Sequence, residues 1–135
     1  MVKEIIATKD APSAIGPYSQ GIKIKAGELI FVSGQIPADP WTGELKTSSI
    51  EEQTHQVLKN LIKILEKAKT SADRVVKTTV YLTNLEDFGR VNKVYEEYFK
   101  ADPPARACVQ VSALPKGVNV EIDAIAYLPP VKSSS

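Results

Sequence analysis

Between Ser49 and Ala68 the apolar positions recur at helical spacing. Ile50, Val57, Leu58, Leu61, Ile62, Leu65 and Ala68 share one stripe, with lysines opposite. Ser49 followed by Glu52 has capping-box spacing, so the pattern predicts a helix opening at Ser49. A second stripe, Phe88, Val91, Tyr95, Tyr98 and Phe99, predicts a helix that Asn84 caps and that Asp102-Pro103-Pro104 stops after about Lys100. Elsewhere the period is two or the signal is a turn. Residues 2–7 and 75–82 read as strands, and 19–25 with 28–34 as a hairpin around Ala26-Gly27. Ala11 to Tyr18 is a proline- and glycine-punctuated loop, and Asp39-Pro40-Trp41-Thr42-Gly43 a turn with Trp41 as its cover. The order β, β, β, α, β, α, β, β with two amphipathic helices predicts a two-layer α+β domain whose sheet is covered on one face. Tyr81, Ile125 and Tyr127 are expected on the uncovered face. Apolar area of that kind marks an interface, so a closed symmetric oligomer is expected.

The C-terminal part carries the most chemistry. Along 104–112 Arg106, Cys108, Gln110 and Ser112 point one way, and Ala107, Val109 and Val111 the other. Along 118–127 Val118, Val120, Ile122, Ala124 and Ala126 share one face. Asn119, Glu121, Asp123, Ile125 and Tyr127 share the opposite one. A hairpin turning at Ala113–Gly117 would pair Ser112 with Asn119 and Gln110 with Glu121. That register places Arg106 and Glu121 on one face, about 13 Å apart by strand rise, close enough for a small ligand between them.

Composition narrows the function. The 135 residues, 43% hydrophobic and 24% charged, suit one domain, expected over 1–128 with a flexible tail over 129–135. A net charge of +1 disfavours a nucleic-acid partner, and no apolar run approaches a membrane span. One cysteine and one histidine exclude a disulfide framework and leave no zinc site, and the lone thiol fits a cytoplasmic location. His55, lacking a local carboxylate or cysteine partner, reads as structural or solvated.

Five blocks then carry a resemblance: Ile15-Gly16-Pro17-Tyr18-Ser19-Gln20, Ser33-Gly34-Gln35-Ile36-Pro37, Val76 to Leu82, Pro104-Ala105-Arg106 with Cys108, and Leu114-Pro115 leading to Val120-Glu121-Ile122. In this order, across residues 2 to 128, the chain resembles the RidA (YjgF/YER057c-type) family. The resemblance implies a chorismate-mutase-like α+β fold assembled as a homotrimer, with sites between subunits. It implies hydrolysis of enamine and imine intermediates to 2-oxo acids and ammonia, with no metal or organic cofactor. It also implies that the main chains of Cys108 and Gly34 contact the substrate. Asp123, where a glutamate is common, and Trp41 depart from the family pattern away from its chemistry.

A 2-imino acid presents a carboxylate beside an electrophilic carbon. Arg106 offers a planar fork that anchors the carboxylate in two places, and Glu121 is suited to orient a water and accept its proton. Tyr18 either closes the cleft from a neighbouring subunit or is an ordinary half-buried aromatic. Ser33 is a hydrogen-bonding wall or a strand-end cap, and Gly34 after it permits close backbone approach. Phe88 is core with pocket lining open to it, and Asn92, one turn on, is the better ligand candidate. A nucleophilic Cys108 would need a neighbouring base, which the pattern does not supply. Two other functions fit the same residues: capture of a small carboxylate without turnover, and RNA cleavage through Arg106 and Asn92.

Overall fold

The computed structural model describes residues 2–131; the other tail positions, 132–135, lie outside the described residues. Six strands and two α-helices follow in the predicted order: β1 (Lys3–Ile6), β2 (Gly21–Ile24), β3 (Glu28–Gln35), α1 (Ile50–Lys67), β4 (Val75–Leu82), α2 (Phe88–Tyr98), β5 (Ala105–Gln110) and β6 (Val120–Leu128). They form a four-stranded sheet, β3-β6-β4-β5, and a two-stranded one, β1-β2.

The capping box at α1 is formed, with the Ser49 hydroxyl accepting the Glu52 amide at 3.0 Å. α1 lies against β3, β6 and α2. Val57, Leu58, Leu61 and Leu65 are fully buried there against Val80, Leu82, Val120, Ile122 and Tyr95. Both helices therefore cover one face of the larger sheet, the two-layer α+β arrangement that the apolar stripes require. Buried Gln53 of α1 exchanges two 2.9 Å hydrogen bonds with Asn119, which fixes where β6 begins.

Two expected hairpins do not form. β2 pairs antiparallel with β1 rather than β3. β5 does not pair with β6: it runs parallel to β4, joined to it through α2, while β6 lies between β3 and β4. The physical reason is the core. Parallel pairing sets Cys108 beside Val80 and Arg106 beside Thr78, so the Arg106–Cys108 side of β5 shares the helix-covered face. Both edges of β6 are taken, one by β3 and the other by β4 from Val75 to Leu82, so none is left for β5.

The uncovered face carries Leu29, Phe31, Tyr81, Glu121, Asp123 and Ile125, joined by Val109 at the β5 edge. Phe31 is 70% exposed, and Leu29 and Val109 are also open. Tyr127, the direct cross-strand partner of Leu29, shares this face as expected but is buried. Trp41 does not cover its turn: it is 93% exposed, while Asp39 Oδ1 accepts the amides of Trp41 and Thr42. His55 does find partners, from α2: Tyr98 Oη at 2.9 Å and Glu97 Oε2 at 3.5 Å.

Candidate functional site

Arg106 lies on β5, the edge strand, with its side chain turned toward α2. Its Nη1 donates to Asn92 Oδ1 at 2.6 Å. The guanidinium carbon sits 5.0 Å from the ring centre of Tyr95, 5.3 Å from Phe88 and 5.4 Å from Tyr18. Aromatic faces orient a cation through their quadrupoles without neutralising it. Among the described residues Arg106 makes no ion pair, since the salt bridges involve His55, Lys63 and Arg90. A half-buried cation held by a neutral amide and three rings keeps its charge available for an anion.

Each neighbour has a local reason for its position. Ser19 pairs with Ala105 as an isolated bridge and donates from its backbone to Pro104 and from its hydroxyl to Pro103. This ties the proline–glycine loop to β5 and sets Tyr18 over the guanidinium. Gly16 lies so near that an added β-carbon would stand 3.4 Å from Arg106 Nη2. Under Arg106, the Tyr95 hydroxyl bonds Thr78 at 2.7 Å, and burial pushes the Tyr95 phenol up to about 12. Tyr95 therefore stays neutral beside the cation. Gln110 Oε1 accepts the Leu85 amide at 2.8 Å, holding the start of the α2 segment against β5.

Between these groups lies a hollow of ≈ 350 Å³ lined by Ile15, Tyr18, Leu85, Phe88, Arg106 and Cys108. Burial raises the Cys108 thiol above its ordinary range, and nearby Arg106 offsets part of that rise. A protonated thiol without a base is a wall, not a nucleophile. A larger hollow of ≈ 640 Å³ between the β3–α1 connection and α1 contains Lys63 and Lys67 but none of these groups. Among the described residues no three His, Cys, Asp or Glu side chains gather in a way that could hold a metal ion.

Glu121 is elsewhere. It faces the uncovered side opposite Tyr81, so the single crevice expected for Arg106 and Glu121 does not exist within one chain. Ser33 and Gly34 form a β-bulge between Val32 and Gln35, where two β3 residues face one on β6, Asp123, two residues along from Glu121. A β-carbon at Gly34 would fall 2.1 Å from Glu121 Oε2, so the glycine makes room for the carboxylate. Burial first and Asp123 second raise the Glu121 carboxyl above the usual carboxylate range. The sheet thus carries two half-sites: Tyr18, Phe88, Asn92, Arg106 and Cys108 on the helix side, and Ser33, Gly34 and Glu121 on the other. Tyr18 reaches Arg106 from within the same chain.

Ile15, Leu85 and Tyr95 were not singled out for this site from the sequence. Two carried a signal. Ile15 is a bulky apolar residue in a proline–glycine loop, and Leu85 is three residues before Phe88, outside the predicted stripe. Tyr95 carried none, because its place in that stripe marks it simply as core.

The chain is similar to known proteins over most of its length. The endoribonuclease L-PSP family model matches residues 8–128. A RutC family protein of Pyrococcus abyssi is 55% identical over 127 residues, 94% of this chain and 98% of that protein. The human 2-iminobutanoate/2-iminopropanoate deaminase is 44% identical over 135 residues, 100% of this chain and 97% of that one. The crystal structure of E. coli TdcF with bound serine superposes with a TM-score of 0.72 at 44% identity, covering 93% of this chain and 98% of that one. A match of this length and identity, on a fold with the same two layers, makes the chain a member of the endoribonuclease L-PSP (RidA/YjgF) family.

Proposed function

We propose that this protein hydrolyses enamine and imine intermediates, such as 2-aminoacrylate/2-iminopropanoate and 2-iminobutanoate, to 2-oxo acids and ammonia. The observation that carries this reading is the half-buried Arg106 guanidinium, without an ion pair among the described residues, in an aromatic-walled hollow. Such a cation calls for a small carboxylate, and the planar fork can take one through two parallel hydrogen bonds. The human relative named as an imine deaminase and the serine bound in TdcF are in keeping with a small amino- or imino-acid ligand.

The chemistry needs few groups. An enamine tautomerises to the imine by taking a proton on its terminal carbon and losing one from nitrogen. Water then adds to the C=N carbon: a C–O bond forms, the π pair moves to nitrogen, and nitrogen takes a proton. The carbinolamine collapses: its hydroxyl proton passes to the nitrogen, the O–H pair forms the C=O bond, the C–N bond breaks and ammonia departs. Arg106 holds the substrate carboxylate, so water meets an oriented carbon. Glu121 accepts the proton of the attacking water and returns it to nitrogen.

Glu121 takes this role from a second copy. The uncovered face around it exposes Phe31, Leu29 and Val109, and the Arg106 hollow opens at the β5 edge. Two different surfaces that meet head to tail generate a ring when the rotation closes, and a ring of three gives three composite sites.

The experiment couples a serine dehydratase, which supplies 2-aminoacrylate, to a measurement of imine decay. The wild type accelerates decay and Arg106→Ala abolishes the acceleration. Arg106→Lys keeps the charge but loses the fork, and falls by roughly 10- to 100-fold, the worth of about 1.5–3 kcal/mol for a charged hydrogen bond. Unchanged decay with the wild type sinks the reading; binding of a 2-oxo acid without turnover would replace it with a carboxylate sensor.

A further inference from the structure

Asp123 lies two residues from Glu121 on the same strand face, about 6.6 Å away by strand rise. Both of its oxygens are engaged. Oδ1 accepts the Thr79 amide at 3.2 Å and Oδ2 accepts the Tyr81 hydroxyl at 3.1 Å. Tyr81 is in turn the direct cross-strand neighbour of Glu121. The charge is therefore fixed in place rather than swinging in solvent.

We propose that Asp123, pinned by Tyr81 and the Thr79 amide, is a positioning residue that sets the protonation of Glu121. The inference rests on the deaminase reading only for its catalytic consequence. Glu121 must both take a proton from water and give one to nitrogen, and a carboxylate with too little proton affinity does the first poorly. A fixed negative charge nearby disfavours the ionised form and raises that affinity. The rise in the Glu121 carboxyl from burial and from Asp123 agrees with this arrangement.

The groups facing Glu121 from each neighbouring strand are few. β6 presents Asp123. β4 presents Tyr81 and, further along beside Ile125, Lys77. β3 presents uncharged Gly34, with Ser33 beside it opposite Asp123. Within one chain Asp123 is thus the nearest fixed charge on this face, and the composite site adds the Arg106 of a second copy. Burial raises the Tyr81 phenol first and its bond to Asp123 second, so it remains a donor to Asp123 across the neutral range.

The test follows Glu121 directly, by carboxyl carbon-13 NMR titration of the intact protein, and alongside it the pH profile of imine hydrolysis. Removing the Asp123 charge stabilises the Glu121 carboxylate. In Asp123→Asn both the Glu121 titration and the acidic limb of kcat/KM move to lower pH. A merely structural role lowers activity with neither curve displaced. A Glu121 titration identical in wild type and Asp123→Asn overturns the proposal. A displaced titration in a protein that never hydrolyses imines leaves the coupling standing and removes the deaminase reading instead.

Discussion

Arg106 and Glu121 project from opposite faces of one four-stranded sheet, the guanidinium toward Asn92 on α2 and the carboxylate toward the side without helices. Side chains on opposite faces of a sheet cannot close on one small molecule. A site using both groups must take them from different chains.

This gives a complementation test. Arg106→Ala and Glu121→Ala are each inactive alone. Reassembled together, mixed rings regain roughly a quarter of wild-type activity, the random chance that one interface receives both intact groups. No recovery, in mixtures shown by light scattering and mass spectrometry to contain both chains, argues against composite sites. Phe31→Asp places a charge on the uncovered face and shifts the assembly toward monomer, with activity lost in parallel.

Gly34→Ala tests the fit around the acid. The new methyl group would meet Glu121 Oε2 at 2.1 Å and its Cδ at 2.7 Å. Because the carboxylate ends a flexible side chain, it swings away and the fold survives. Imine hydrolysis falls roughly 10-fold or more, as for one misplaced catalytic hydrogen bond. In a Glu121→Ala background the same change has little further effect, a non-additivity that a double-mutant cycle measures.

Cys108 gives a pH prediction. Its thiol is raised by burial, so the reactive thiolate appears only above the range of an ordinary cysteine. Alkylation by iodoacetamide is therefore slow at pH 7, and its rate climbs at higher pH than that of a free thiol. Cys108→Ala retains imine hydrolysis, because a wall group of similar bulk is all the hollow asks of it. Loss of activity in that variant with the fold intact would assign the sulfur a chemical part.

Leu61 tests the core. It is fully buried in α1 against the sheet, and Leu61→Ala removes that packing without touching either half-site. Stability falls by about 2–5 kcal/mol, read as a lower midpoint in urea at fixed protein concentration. A change below 1 kcal/mol would mean that the α1–sheet contact is looser than its burial indicates.

Much of this was legible in order and period. The stripe Val57, Leu58, Leu61, Leu65 gave α1, the Ser49–Glu52 spacing gave its start, and alternation from Val75 to Leu82 gave β4 with its observed limits. Five separated blocks pointed to the family, and Tyr18, Phe88, Asn92, Arg106 and Cys108 do converge. Strand partners were less legible. Alternation along β5 and β6 states which residues share a side of each strand, but not which strand lies beside it. With a hairpin assumed, Arg106 fell on Glu121's face; with β5 parallel to β4, it falls on the opposite one.

Residue types and their spacing determined the local elements, since periodicity is a property of the chain's own backbone geometry. They also determined which groups have anion-binding and proton-transfer chemistry. Only the tertiary structure decided where that chemistry points. Burying Cys108 beside Val80 aligned β5 with the core, and that alignment carried Arg106 under Tyr18 and beside Asn92, away from Glu121. Pairing between distant strands follows from which apolar faces can be buried together, a long-range condition that no short window of sequence contains.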